Sequence, residues 1–258
     1  MSEVRAIGVA GLPEFAVGMS VGGEIAARAE LRDGDVVVVS QKIVSKVEGR
    51  VRRLADVTPG DEARRLAAEL GKEPAMVELI LAESREVLRA ERGVLIVETH
   101  HGLVCANAGI DASNLPEAGT VALLPEDPDG SARRIRAEIR TATARGSETR
   151  GGTAAAPAVI VADSFGRAWR LGQAEVAIGC AGIAPLDDWR GREDAEGREL
   201  EATLIAVADQ AAAAADLVRG KADRVPAAIL RGLDRFVTAE DGPGAAAIRR
   251  PPNEDLFR

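Results

Sequence analysis

Two apolar runs in this chain contain no polar residue: Val36-Val37-Val38-Val39 and Ala158-Val159-Ile160-Val161-Ala162. A strand with one wet face alternates apolar and polar residues. Unbroken runs rich in β-branched residues therefore belong to a sheet covered on both faces. Gly93-Val94-Leu95-Ile96-Val97 reads the same way and ends at Glu98, Thr99, His100 and His101. After it comes Val104-Cys105-Ala106-Asn107-Ala108-Gly109-Ile110-Asp111-Ala112-Ser113-Asn114, a stretch with almost no bulk. The 158–162 run delivers Asp163-Ser164-Phe165-Gly166-Arg167. Small residues let a backbone approach a ligand closely, and Asp and Asn offer oxygen to a hard cation. Two strands that each lead to an Asp predict a shared metal at the carboxyl ends of a sheet. Local sequence leaves a plainer reading equally open: a turn Asp at 111 and a helix-capping Asp at 163.

The other patterns predict a mixed α/β fold. A strand over 4–10 stops at Gly11-Leu12-Pro13-Glu14, and helices are expected over 25–31, 63–70 and 74–88. Ser131 is expected to cap a helix over 132–144, and an Ala-rich helix is expected over 200–218. A strand is expected over 172–179. The polar segment 145–153 reads as an exposed loop and subdomain boundary, and 242–258 as a fraying tail after a domain spanning 1–241.

Several function classes are disfavoured. A net charge of −8 with 2% aromatics does not suit a nucleic-acid surface, which needs basic patches and stacking rings. Cys105 and Cys180 lack metal-ligand spacing and read as free thiols of a reducing cytosol. Met1-Ser2-Glu3-Val4-Arg5 opens no signal peptide, and the longest apolar segment carries Asp209, Gln210 and Asp216, so no membrane span is expected. No Walker loop, GxGxxG, GxSxG or HExxH occurs, and nothing supports a triad built on His100 or His101. Lysine is scarce, with residues only at 42, 46, 72 and 221, and two of these follow the 36–39 strand. A strand-end lysine is usually solvated, but it can also meet phosphate as a point charge.

Four segments resemble the coenzyme F420-0:L-glutamate ligase family. They are the run from Asp35 to Arg50, His101-Gly102 through Asn114, Asp163-Ser164-Phe165-Gly166-Arg167 with Trp169-Arg170, and Ala177-Ile178-Gly179 with Gly182-Ile183. The similarity runs in order from Gly11 to Leu233. It implies an unusual mixed α/β fold of two intertwined subdomains, in which buried strands carry site loops at their ends. It also implies a homodimer that adds L-glutamate to the carboxylate of the deazaflavin precursor F420-0, and then further γ-linked glutamates. GTP would serve as co-substrate, with Mg²⁺ or Mn²⁺, one ion or two, and K⁺ as an additional cation. Matched position by position, Gly11, Leu12, Pro13, Glu14, Ser40, Gln41, Lys46 and Asn114 resemble the guanine-nucleotide contacts. The loop Gly220-Lys221-Ala222-Asp223-Arg224-Val225-Pro226 matches another. Asp111, Asp163 and Ser164 resemble metal ligands, and Lys46, Asp111 and Asp163 would carry the chemistry. Ala168 stands where the family often has Pro, and Ala174-Glu175 where it often has Thr-Asp; these departures touch the acceptor region. Two rivals stand beside this reading: a non-catalytic nucleotide- and metal-binding protein, and a γ-glutamyl ligase for another cofactor.

Overall fold

Val36, Val37, Val38 and Val39, and Ala158 through Ala162, are all wholly buried, as a sheet covered on both faces requires. They lie in a computed structural model that describes residues 3–148 and 155–256. The chain runs β1 (Arg5–Gly8), α1 (Val21–Ala26), β2 (Val36–Ser40), α2 (Gln41–Val47), β3 (Val51–Arg53), α3 (Asp61–Leu70) and α4 (Pro74–Ala82). It continues through β4 (Ser84–Glu91), β5 (Val94–Thr99), β6 (Val104–Ala106), β7 (Thr120–Ala122) and α5 (Pro128–Glu148). The remainder is β8 (Ala158–Arg167), β9 (Arg170–Ala181), β10 (Asp187–Asp188), β11 (Leu204–Ile205), α6 (Val207–Asp216) and β12 (Ala227–Arg231).

The main sheet has the order β1-β12-β2-β8-β9; only β2 and β8 run parallel. Alternate residues of β2 enter opposite cores. Val37 and Val39 pack with Ile25 of α1, Val44 of α2, and Ile135 and Ile139 of α5. Val36 and Val38 pack with Val207, Ala208, Ala211 and Ala212 of α6. Burying a strand on both faces removes about twice the apolar area that a half-exposed one would, at roughly 25 cal/mol per Å². At Gly22 of α1 a Cβ would lie 2.5 Å from the Ile135 carbonyl oxygen, so only glycine lets α1 sit against α5. A second body, with its own core of Ala63, Leu66, Val77, Ile80, Leu95 and Val97, stacks α3 and α4 on the sheet β4-β5-β6.

Several elements differ from expectation, each for a physical reason. The helix expected over 74–88 ends at Ala82, where the Ser84 hydroxyl donates to the Ile80 carbonyl at 2.5 Å. Pairing with β5 then claims Ser84–Glu91, so cross-strand contacts override helical periodicity. Asp127, not Ser131, caps α5: its carboxylate accepts from Gly130 N–H at 2.8 Å, and Pro128 starts the helix without a lost donor. That helix runs on to Glu148, past the start of the loop and boundary expected over 145–153, the rest of which lies outside the described residues. The Ala-rich helix begins only at Val207, after the short strand β11. The first helix is displaced to Val21–Ala26, where the Ser20 hydroxyl accepts from Gly23 N–H at 3.0 Å. Part of the segment expected to fray is held: Asp129 accepts from Ala245 N–H at 2.7 Å and Cys180 N–H at 2.8 Å. No helix among the described residues is long and apolar enough to cross a membrane.

Candidate active site

The parallel pairing of β2 and β8 ends at Ser40 opposite Ala162. There the two strands part. β2 passes directly into α2, whereas β8 runs on to Arg167 as one arm of a hairpin with β9. Asp163, the first residue past the parting, thus lies inside a strand and not at its end, which corrects the strand-end and helix-cap readings alike. Lys42 and Lys46 sit on α2, not in a strand-end loop, and their spacing of four puts them on one helix face.

That face meets the 111–114 loop. Lys42 Nζ donates to Asp111 Oδ2 at 2.7 Å, to Ser113 Oγ at 2.8 Å and to the Ser113 carbonyl at 2.5 Å. Asp111 also accepts from Ser113 N–H at 2.6 Å, so the loop closes on its own carboxylate. Lys46 Nζ pairs with Glu14 and donates to the Asn114 carbonyl at 3.3 Å. Asn114 holds a left-handed backbone (φ 53°), and its amide donates to the Lys221 carbonyl at 3.3 Å. Lys221 Nζ in turn donates to Ser164 Oγ at 2.8 Å. The Ser164 hydroxyl donates to Glu175 Oε1 at 2.5 Å, and Arg219 donates to Glu175 Oε2 at 2.8 Å. Glu175 and Arg219 are both buried.

The two aspartates have opposite electrostatics. Burial alone would raise Asp111, but hydrogen bonds from Lys42 and Ser113 hold its carboxyl below the usual range. Burial pushes Asp163 up to about 7, and the negative charges of Glu175 and Asp111 add to the effect. Cys105 is pushed up to about 12 by burial and by the charge of Asp163. Such a thiol stays protonated and inert.

A divalent cation fits this donor set as a partial shell. Among the described residues no three His, Cys, Asp or Glu side chains cluster as a metal site. Mg²⁺ takes only one or two carboxylates and fills its remaining positions with water and phosphate oxygens. Asp111, Asp163 and the Ser164 hydroxyl match that demand.

Of the residues picked out from sequence, Glu14, Lys46, Asp111, Asn114, Ser164 and Lys221 take part in these contacts. Ser40 ends β2 and takes a hydrogen bond from its own N–H to the Pro226 carbonyl at 2.8 Å, fixing the 220–226 loop beside it. Gly11 holds φ 72° and its carbonyl accepts from Arg28 at 2.6 Å, which shapes the Gly11–Glu14 turn around Lys46's partner. Gln41 does not join them: its buried amide donates to Ser45 Oγ at 2.6 Å and to the Leu123 carbonyl at 3.0 Å. Within the loop, Asp223 folds back over Gly220, where a Cβ would meet its carboxylate at 2.1 Å, and Val225 lies against Gly8. His100 and His101 bind the carbonyls of Ala82 and Pro125 at 3.0 and 2.8 Å. Lys42, Ser113, Glu175 and Arg219 were not singled out as site residues. Lys42 was legible in principle, since it precedes Lys46 by one helical turn.

The chain matches the F420-0:Gamma-glutamyl ligase family model over residues 11–232. It is 42% identical to a Methanothermobacter thermautotrophicus protein named coenzyme F420:L-glutamate ligase, with 99% of each chain aligned. A Methanopyrus kandleri protein of the same name is 43% identical over 91% of this chain and 89% of its own. One from Methanocaldococcus jannaschii is 39% identical over 100% and 99%. With similarity of this extent running through every strand and loop of the site, the chain belongs to the F420-0:gamma-glutamyl ligase family.

Proposed function

We propose that this protein is a GTP-dependent ligase that joins L-glutamate to F420-0, and then further glutamates in γ linkage. The observation that carries this reading is the contact of Lys42 with Asp111 and of Lys46 with Glu14 and Asn114, where β2 passes into α2, in a chain of this family. The F420-0 carboxylate attacks the γ-phosphorus of GTP, GDP leaves, and an acyl phosphate forms. The glutamate amine then attacks the acyl carbon, phosphate leaves, and the amine's proton passes to solvent or a nearby base. Both steps gather negative charge on phosphoryl oxygens. Lys46 and Lys42, each mostly buried and fixed on a helix that continues a core strand, stand ready to offset that charge without reorganisation. Ser164, its proton directed to Glu175, keeps its lone pairs turned to Lys221 and to the site. Mg²⁺ or Mn²⁺, held by Asp111, Asp163 and Ser164, would supply further neutralisation when bound. A second divalent ion, K⁺, a homodimeric assembly and a cytoplasmic setting belong to the same proposal.

The test is mass spectrometry of F420-0 after incubation with the protein, GTP, glutamate and either Mn²⁺ or Mg²⁺. A mass gain of one or more glutamyl residues, with GDP released, is expected. GTP and metal binding without GDP release would make the protein a non-catalytic binder. Turnover with another acceptor alone would make it a γ-glutamyl ligase for a different cofactor.

A further inference from the structure

The hairpin β8–β9 ends in a tip with exposed apolar side chains. Trp169 is 82% exposed and Leu171 99%, in a chain with only 2% aromatic residues. Trp169 also holds a left-handed backbone (φ 61°) at the turn, where glycine or asparagine is the low-energy choice. A bulky ring kept in that conformation is strained, and such strain gathers at ligand clamps. Arg167 and Arg170 face each other across the ladder beside it, and Arg167 donates to the Leu171 carbonyl at 2.7 Å, which braces the tip.

Period-two alternation links this tip to the active site. Asp163, Phe165 and Arg167 fall on one face of β8, and Ser164 on the other, with Glu175 opposite it. The second face is taken up by the loop after α6, through Lys221 and Arg219. The first face leads from a carboxylate, past an apolar ring, to two cations and an exposed indole. Four residues of strand place Arg167 about 13 Å from Asp163, with Trp169 in the turn just beyond it.

We infer that the ribbon face from Asp163 to Trp169 is the acceptor subsite, with the indole and the two arginines holding a planar heteroaromatic ring that carries an anionic chain. This rests on the ligase reading above, in which the acceptor is a deazaflavin presenting a carboxylate at the reacting end. Glutamate is too short to bridge the span. The nucleotide has its own cations on α2 and in the loop after α6, which leaves the ribbon to the coenzyme. Ring stacking and cation–π attraction recognise a flat ring without regard to its edge groups, and arginine suits its anionic tether.

The experiment compares steady-state constants for all three substrates in the wild-type protein, Trp169→Gly, Trp169→Phe and Arg167→Ala/Arg170→Ala. Glycine relieves the left-handed strain, so Trp169→Gly keeps its hairpin and lost binding cannot be assigned to unfolding. The expected result is an F420-0 KM raised about tenfold or more, in line with the loss of one stacked ring. The KM values for GTP and glutamate should stay within about twofold, and Trp169→Phe should restore most of the loss. The double arginine variant should raise the F420-0 KM and flatten its dependence on salt. An F420-0 KM unchanged in Trp169→Gly overturns the inference, as does a rise in the GTP KM instead. A shift from dimer to monomer in sedimentation would give the tip to a second copy, and loss of wild-type binding to anionic vesicles would give it to a membrane; either also overturns it. Absence of product with the wild-type protein would instead defeat the ligase reading itself.

Discussion

Lys42 Nζ lies 2.7 Å from Asp111 Oδ2, across 69 residues of sequence, and the lysine side chain is the more buried of the two. The ammonium also binds both oxygens that Ser113 offers, so it organises the loop as well as neutralising the carboxylate. Lys42→Ala should leave the fold intact and lower kcat by about a hundredfold or more, the usual scale for a preorganised electrostatic contact. Lys42→Arg should not restore activity, because a planar fork cannot reproduce three donors around one point charge. Kinetics alongside circular dichroism check both; a fully active Lys42→Ala would return the lysine to a structural role.

Lys46 has a narrower task. It lies at the nucleotide end, between Glu14 and Asn114. Lys46→Ala is expected to raise the GTP KM about tenfold while leaving the F420-0 KM near wild type. Initial-rate measurements at varied GTP decide this, and unchanged constants would count against a phosphate contact.

Asp163 makes stability depend on pH. Its carboxyl is raised from an ordinary 3.8 to about 7 in the folded state, so folding favours the protonated form. That contribution is fully present below pH 3.8 and is lost as pH rises through about 7. With chelator present, the melting temperature should therefore fall between pH 5 and pH 8 more than in Asp163→Asn. Mn²⁺ with GTP at pH 8 should recover the loss in the wild type and not in the variant. Parallel melting curves of the two proteins across that range would refute the assignment.

Glu175 and Arg219 form a buried ion pair at 2.8 Å, and among the described residues Arg219 Nε has no hydrogen-bond partner. Removing one member leaves a buried charge, which costs about 3–5 kcal/mol. Glu175→Ala should thus be strongly destabilised in urea, and adding Arg219→Ala should recover part of that loss. A double-mutant cycle with no coupling would show that the pair is screened.

The two-faced burial of β2 and β8 was legible because their residues leave no polar position to face water. The break after β1 was legible from Gly11 and Pro13. What escaped was pairing. Nothing local distinguishes the strand at 84–91 from a continued helix until β5 lies alongside it. Likewise, Glu175 and Arg219 lie 44 residues apart and meet only when the loop after α6 folds onto the ribbon. Gln41 shows the reverse: it adjoins Lys42 in sequence, but the helix turns its amide inward to Leu123.

The direct passage from β2 into α2, with Ser40 in the sheet ladder and Gln41 already helical, has an evolutionary corollary. A connecting loop would absorb a gained or lost codon; this junction has none. One residue inserted between Ser40 and Gln41 would turn every following side chain by about 100° around the helix axis. It would carry both lysines away from the 111–114 loop and swing Gln41 out of its pocket. Chain length at this one seam is therefore closed to drift in descendants of this sequence.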